Sequence, residues 1–308
     1  MRRLVSGFLM VLATLFVIFF VLSIGSAIGV YMKDHQSQVM ENSILVLELE
    51  GVILDGEEIL GNIREYRDDD KIKGFLVKVN SPGGVVGASQ EIAAELAKVK
   101  TEFKKPVVVT AQNVIASGAY YAAAFADKII VNPGAIVGSI GVIMEFANLE
   151  RLYDWAKINP YVLKTGNFKD SGSSYRPMRE DERKLFQSML DEVLAQFKTA
   201  ILEGRKLPQD VLDQNADGRI FSGEQAVKLG FADQVGTYDD AVKLIGELTK
   251  LGKKPELFTP PKKRRGSNNL LVDLLEGTLG IPLSKFTKIA EQTSLSGQPL
   301  YLMPTSLR

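Results

Sequence analysis

Apolar residues fall along this chain in three patterns. Residues 4–30 carry no charge and are dominated by Leu, Val, Ile and Phe. As a helix that run spans roughly 40 Å at about 1.5 Å per residue, enough to cross a bilayer with tilt. Shorter apolar runs at 44–49, 74–80, 106–110, 128–131 and 161–165 have the length of strands. Helical spacing appears in 91–100, where Ile92, Leu96 and Val99 share a face. It recurs in 180–205, where Leu185, Met189, Val193, Phe197 and Ile201 follow at steps of four, and 239–250 is a further helix. Ser222-Gly223-Glu224-Gln225 fits a capping box opening a helix that ends near Gly230. Residues 122–126 read as a close-packed helix of small side chains. Strand, glycine turn, helix and strand recur with short connections, which predicts an α/β fold with helices on a largely parallel sheet.

The polar stretches divide the chain. Residues 33–43 read as a tether, Asp68-Asp69-Asp70-Lys71 as a solvated bend, 133–141 as a loop of small residues, and 166–179 as a polar loop. Beyond Lys250 the composition shifts to the basic, proline-flanked Thr259-Pro260-Pro261-Lys262-Lys263-Arg264-Arg265-Gly266. Residues 269–279 are expected to form a short apolar helix and 294–308 an exposed tail. The expected organisation is an anchor at 1–32, the tether at 33–43, one catalytic domain at 44–250, and a linker with tail at 251–308. For residues 4–30 the competing reading is a secretory signal with Gly25-Ser26-Ala27 as its cleavage site, but signal apolar regions run only about 7–15 residues. The length favours an uncleaved anchor. Arg2 and Arg3 then stay in the cytoplasm, and the bulk of the chain lies on the other side.

Composition narrows the chemistry. The 308 residues hold 37 Lys+Arg and 37 Asp+Glu, so the net charge gives no bias toward nucleic acid. There is no cysteine, which excludes a thiol nucleophile, a disulfide framework and a Cys-ligated metal. The one histidine, His35, lies beside the apolar N-terminal run, which argues against a Ser–His triad and a His-rich zinc site.

Four small motifs remain. Ser117, in Val114-Ile115-Ala116-Ser117-Gly118-Ala119-Tyr120-Tyr121, follows a strand and precedes a helix. Such a serine is either a helix N-cap or a nucleophile beside free backbone N–H groups. Asn80-Ser81-Pro82-Gly83-Gly84 follows another strand and is either a tight turn or an anion cradle. Gly138-Ser139 offers a hydroxyl that orients a neighbour or satisfies its own loop. Lys169 sits in Gly166-Asn167-Phe168-Lys169-Asp170, where an isolated lysine is ordinarily just solvated. A serine nucleophile needs a base. With histidine excluded by position, a neutral lysine is the remaining choice; its reference pKa of about 10.4 falls when the amine is desolvated. A carboxylate beside it would oppose that role, and Asp170 is adjacent in sequence.

These motifs together resemble the signal peptide peptidase A family, bacterial membrane-anchored serine proteases of the Clp-protease and crotonase-like fold. Ile115-Ala116-Ser117-Gly118-Ala119-Tyr120-Tyr121, the upstream Asn80-Ser81-Pro82-Gly83-Gly84, Val137-Gly138-Ser139-Ile140-Gly141-Val142 and Ala216-Asp217-Gly218-Arg219-Ile220-Phe221-Ser222-Gly223 carry the likeness over about residues 44–248. The length fits the single-domain form of the family. The resemblance implies a repeated ββα core, Ser117 as nucleophile, Lys169 as general base, Ser139 hydrogen-bonded to that lysine, the N–H groups of Gly84 and Gly118 as oxyanion hole, and Gly83 shaping the turn. It implies no cofactor or metal, and apolar peptides such as released signal peptides as substrates. It also implies anchoring in the bacterial inner membrane through residues 4–30, and a homo-oligomer whose serine and lysine meet between subunits. Ala119 departs from the family, which often has a second glycine there. Two other readings are an acyl-CoA enzyme of the crotonase type and a membrane scaffold that kept the fold without activity. Paired glutamates are not evident for the former, and the retained serine, lysine and glycines weigh against the latter. The apolar Leu300-Tyr301-Leu302-Met303 within the tail raises the further expectation that it enters a neighbouring active site as a self-substrate.

Overall fold

The computed structural model describes residues 39–261 and 298–303, together with helical positions 16, 17, 19, 20 and 24. Most of the apolar run 4–30 and all of 269–279 lie outside the described residues. Among the described residues no helix is long and apolar enough to cross a membrane.

The chain runs through β1 (Ser43–Glu50), α1 (Glu57–Tyr66), β2 (Ile72–Ser81), β3 (Gly83–Val85), α2 (Val86–Thr101), β4 (Val107–Ala116), α3 (Gly118–Ala123), β5 (Lys128–Val131) and β6 (Ile136–Gly138). It continues through α4 (Glu150–Trp155), α5 (Glu180–Arg205), α6 (Gln209–Asn215), β7 (Ile220–Ser222), α7 (Gly223–Leu229), β8 (Gln234–Val235), α8 (Tyr238–Leu248), β9 (Glu256–Phe258) and β10 (Leu300–Leu302). The main sheet has the order β7-β6-β4-β2-β1-β9, with β5 pairing β4 and β8. Its pairings are parallel except for β6 with β7.

A parallel sheet covered on both faces needs continuous apolar runs, and residues 44–47 of β1, 75–77 of β2 and 107–109 of β4 supply them. Alternation assigns the faces. Leu45, Leu47, Phe75, Val77, Val107 and Val109 point into the larger core with Ile92 and Leu96 of α2 and Phe197 of α5. Ile44, Leu76, Val108 and Ile130 point the other way, under Ala241 and Ile245 of α8.

Strand β4 positions the site. Its first half pairs with β2 and β5, and its second half pairs with β6 through Val114, Ile115 and Ala116. The strand is longer than the apolar run 106–110 predicts, because a second paired stretch, residues 114–116 on β6, extends it past the polar Gln112 and Asn113. The expected loop 133–141 contains β6 for the same reason.

Two expectations are corrected. Residues 161–165 form no strand: the segment is irregular, and Tyr161 and Leu163 are 87% and 92% exposed. Apolar alternation without a partner strand does not make a sheet. The expected exposed tail is buried where it is described: Leu300, Tyr301 and Leu302 form β10, antiparallel to β3, and each is at most 3% exposed.

Candidate active site

Ser117 occupies the N-cap position of α3, yet its side chain makes no capping bond. The backbone explains why. At φ 52° and ψ −118° the residue lies outside the ordinary cap geometry, in a region costly for any side chain. It is held there at both ends: its amide donates to the Gly138 carbonyl at 2.7 Å, and its carbonyl accepts from the Tyr121 amide at 2.9 Å. Its Oγ is buried with no hydrogen-bond partner among the described residues. The capping reading therefore fails, and a strained serine with an unused hydroxyl remains.

Beside it lie the glycines. Gly83 has φ 97°, and a Cβ there would stand 2.6 Å from the Gly118 nitrogen and collide with the Tyr301 carbonyl oxygen. A Cβ on Gly118 would lie 3.0 Å from that same oxygen, 3.1 Å from the Gly84 nitrogen, and in collision with Ser89 Oγ. The Tyr301 carbonyl oxygen thus lies against the backbone of Gly83 and Gly118, with the Gly84 nitrogen on the same side of Gly118. Only residues without a side chain leave room for it. Ala119, the departure from the family pattern, lies inside α3 and is fully buried.

Strand β10 lies against these glycines. It pairs on one side with β3, Tyr301 opposite Gly84, and Met303 donates to the Pro82 carbonyl at 3.0 Å. On the other side Leu300 exchanges two backbone hydrogen bonds with Ile143, at 2.9 and 3.0 Å. Side chains alternate as they must in a strand. Leu300 and Leu302 pack among Val52, Leu54, Val85 and Ile143. Tyr301 turns the other way into an aromatic pocket, stacked on Tyr121 at 5.2 Å and tilted against Phe197 at 4.6 Å, with its hydroxyl donating to the Val193 carbonyl at 3.0 Å. Burial pushes the Tyr301 phenol well above its ordinary pKa. Docking residues such as Ile53, Val85, Tyr121, Ile143, Val193 and Phe197 were not legible as a site. They read as core positions in the sequence, and only the apolar 300–303 run signalled an occupant.

Ser139 follows β6, is 5% exposed, and has φ 51°. Both predicted site serines are thus held at positive φ, and Ser139 donates its amide to the Arg219 carbonyl at 2.8 Å. Lys169 is exposed on the loop before α5. No hydrogen bond or ion pair of the described residues joins it to Ser117. Next to it, Asp170 is occupied by Lys164 and by Arg176 at 3.0 Å, and these partners, Lys164 foremost, hold its carboxyl below the usual range. No group of acidic or histidine side chains among the described residues could hold a metal ion.

Residues 100–252 match the model of peptidase family S49. The chain is 39% identical to a putative protease of Methanocaldococcus jannaschii, over 66% of this chain and 64% of that protein. It is 35% identical to a putative protease of a Synechocystis species, over 83% of this chain and 94% of the relative. It is 34% identical to a putative signal peptide peptidase SppA of Enterococcus faecium, over 68% of this chain and 64% of that protein. The chain therefore spans somewhat under two thirds of the length of two of these relatives and nearly all of the third. A mostly parallel α/β fold, a strained serine beside a glycine cradle, and these likenesses agree: the chain belongs to peptidase family S49, a family of serine-type peptidases.

Proposed function

We propose that this chain is a membrane-anchored serine endopeptidase that uses a Ser117/Lys169 dyad to degrade apolar peptides, released signal peptides among them. The observation that carries the reading is the seating of β10, a peptide strand laid antiparallel on Gly83–Val85 with a carbonyl oxygen in the glycine cradle beside Ser117. Strand addition of this kind takes its affinity from the main chain and its selectivity from alternate side-chain pockets. The aromatic pocket around Tyr301 and the aliphatic surface under Leu300 and Leu302 favour large apolar side chains. That substrate class fits the name of the Enterococcus relative.

In the proposed reaction the uncharged Lys169 amine takes the proton from Ser117 Oγ as that oxygen attacks the scissile carbonyl. The amides of Gly84 and Gly118 receive the oxyanion, and Ser139 hydrogen-bonds the lysine. Lys169 then returns its proton to the leaving amine, and water releases the acyl chain from Ser117 by the reverse sequence. No cofactor takes part. Because Ser117 Oγ has no partner within the described chain and Lys169 is exposed, the dyad is best completed by a second copy of the chain. The uncharged run 4–30 supplies the anchor in the cell membrane, with the peptidase body outside the cytoplasm.

The test is the full chain in detergent with a fluorogenic apolar peptide. Ser117→Ala and Lys169→Ala are each expected to lose activity by at least about 10³-fold while keeping the circular dichroism of the parent. Full activity in either folded variant overturns the dyad.

A further inference from the structure

Glu182, near the start of α5, is a carboxylate with no exposed side-chain surface. Burying an ion is costly unless it is fully paired. A capping box would need only one bond from this residue, and it makes that bond: the Arg179 amide donates to Oε2 at 2.9 Å. Yet Arg176 adds a two-pronged pair, Nη1 to Oε2 at 3.0 Å and Nη2 to Oε1 at 2.6 Å, and Arg179 Nη1 lies 2.9 Å from Oε1. Helix capping does not account for two buried arginine contacts.

What the arginines do with their other donors accounts for them. Arg176 Nη2 donates to the Asp170 carbonyl at 3.0 Å, and Nε donates to the Asp170 carboxylate at 3.3 Å. Arg179 Nη2 donates to the Asn167 carbonyl at 3.0 Å, and its guanidinium stands over the Phe168 ring at 5.7 Å. Residues 167, 168 and 170 are all held. Lys169, between them, is exposed, and the network leaves its side chain unengaged. The same contacts occupy Asp170, the carboxylate nearest in sequence, which would otherwise be free to pair with the Lys169 amine and hold its proton. The groups facing the loop are Lys164, Asp170, Arg176, Arg179, Asp181 and Glu182, and Arg179 Nε also takes up Asp181 at 3.0 Å.

We infer that Glu182 and Arg176 are positioning residues for the peptidase reaction: they lock the loop so that Lys169 projects toward the nucleophile with no carboxylate partner of its own. This rests on Lys169 being the general base. Glu182→Gln is the discriminating variant, because glutamine keeps the capping acceptor and the volume but loses the charge that grips two arginines.

The full chain in detergent is assayed for kcat and KM separately, with the thermal midpoint and the rate at which a fluorophosphonate labels Ser117. Glu182→Gln and Arg176→Met are expected to lower kcat and the labelling rate by about 10–100-fold, as small misplacements of a reacting group do. KM should stay within about twofold, because β3 and the side-chain pockets are untouched. If a variant does not fold, the more exposed Arg179→Met, expected to lower kcat by about 3–10-fold, is read the same way. Unchanged kcat in the folded variants overturns the inference, as does a loss of activity that follows the thermal midpoint and raises KM in step. Full activity in Lys169→Ala overturns the dyad instead. An inactive Lys169→Ala beside a fully active Glu182→Gln overturns the positioning role alone.

Discussion

At the scale of single residues, function and stability pull against each other at Ser117. A non-glycine residue at φ 52° and ψ −118° stores on the order of 1–3 kcal/mol of backbone strain. Ser117→Gly relieves that strain and removes the proposed nucleophile. It is expected to raise the thermal midpoint by about 2–4 °C while abolishing peptide hydrolysis, and a lowered midpoint in calorimetry would contradict the strained-serine account. Gly83 shows the opposite balance. An alanine Cβ there meets the Gly118 nitrogen at 2.6 Å and the position of the bound carbonyl oxygen. Gly83→Ala should therefore lose about 10²–10³-fold in kcat/KM, the usual effect of spoiling an oxyanion site. Wild-type kinetics in that variant would remove Gly83 from the cradle. The sequence made Ser117, Gly83, Gly84 and Gly118 readable because glycine and serine at strand ends have few physical uses. It did not make Ser89 readable, though its Oγ backs Gly118, because a serine one turn into a helix ordinarily returns its hydrogen bond to the backbone, as this one does to Val85 at 2.9 Å.

Among elements, α5 and β10 were legible to very different degrees. The apolar fours of α5 and its acidic first turn mark Glu180–Arg205 from local sequence alone. Strand β10 has no local signal beyond three apolar residues, since its conformation comes from docking on β3 across the chain. The exposed segment 161–165 looks more strand-like and is not one. The first turn of α5 carries a pH prediction. The hydrogen bond from Arg176 holds the Glu182 carboxyl at about 2, below its ordinary 4.5, and Asp170 is lowered too. A depressed folded-state value means the clamp contributes fully above about pH 4.5 and is lost only as pH falls toward about 2. Amide protection factors in residues 164–179, measured against the intrinsic exchange rate at each pH, should hold from pH 7 to 5 and fall below 4, a dependence that Glu182→Gln flattens. A fall in protection already between pH 7 and 5 would contradict the pairing. For β10, burial of three apolar side chains at about 1.5–3 kcal/mol each is opposed by ordering of about 1–2 kcal/mol per residue. The segment is then a weak ligand made effective by its tether, at an effective concentration in the millimolar range. Deleting residues 298–308 is expected to lower the apparent KM for added peptides by about tenfold with kcat unchanged. An unchanged KM would mean that β10 does not compete with substrate.

The whole molecule poses a problem that no single element answers. Ser117 is buried at the end of β4 with its Oγ unpartnered, while Lys169 is exposed on a rigidly clamped loop. The chain leading into that loop is apolar and exposed: Leu152, Trp155, Ile158, Tyr161, Leu163 and Phe168 all face solvent, Trp155 by 80%. Large apolar exposure is typical of surfaces that meet another molecule. In the proposed closed ring, the loop of one copy would reach the serine of the next, covering the apolar face and completing the proposed dyad at once. Complementation decides it. Purified Ser117→Ala and Lys169→Ala chains are each inactive under this account. Dissociated, mixed one to one and reassembled, they pair an intact Ser117 with an intact Lys169 at random in about one quarter of the sites, and activity should return to about that fraction of the parent. If both residues of the dyad come from the same chain, every site in the mixture lacks one of them, and mixing restores nothing.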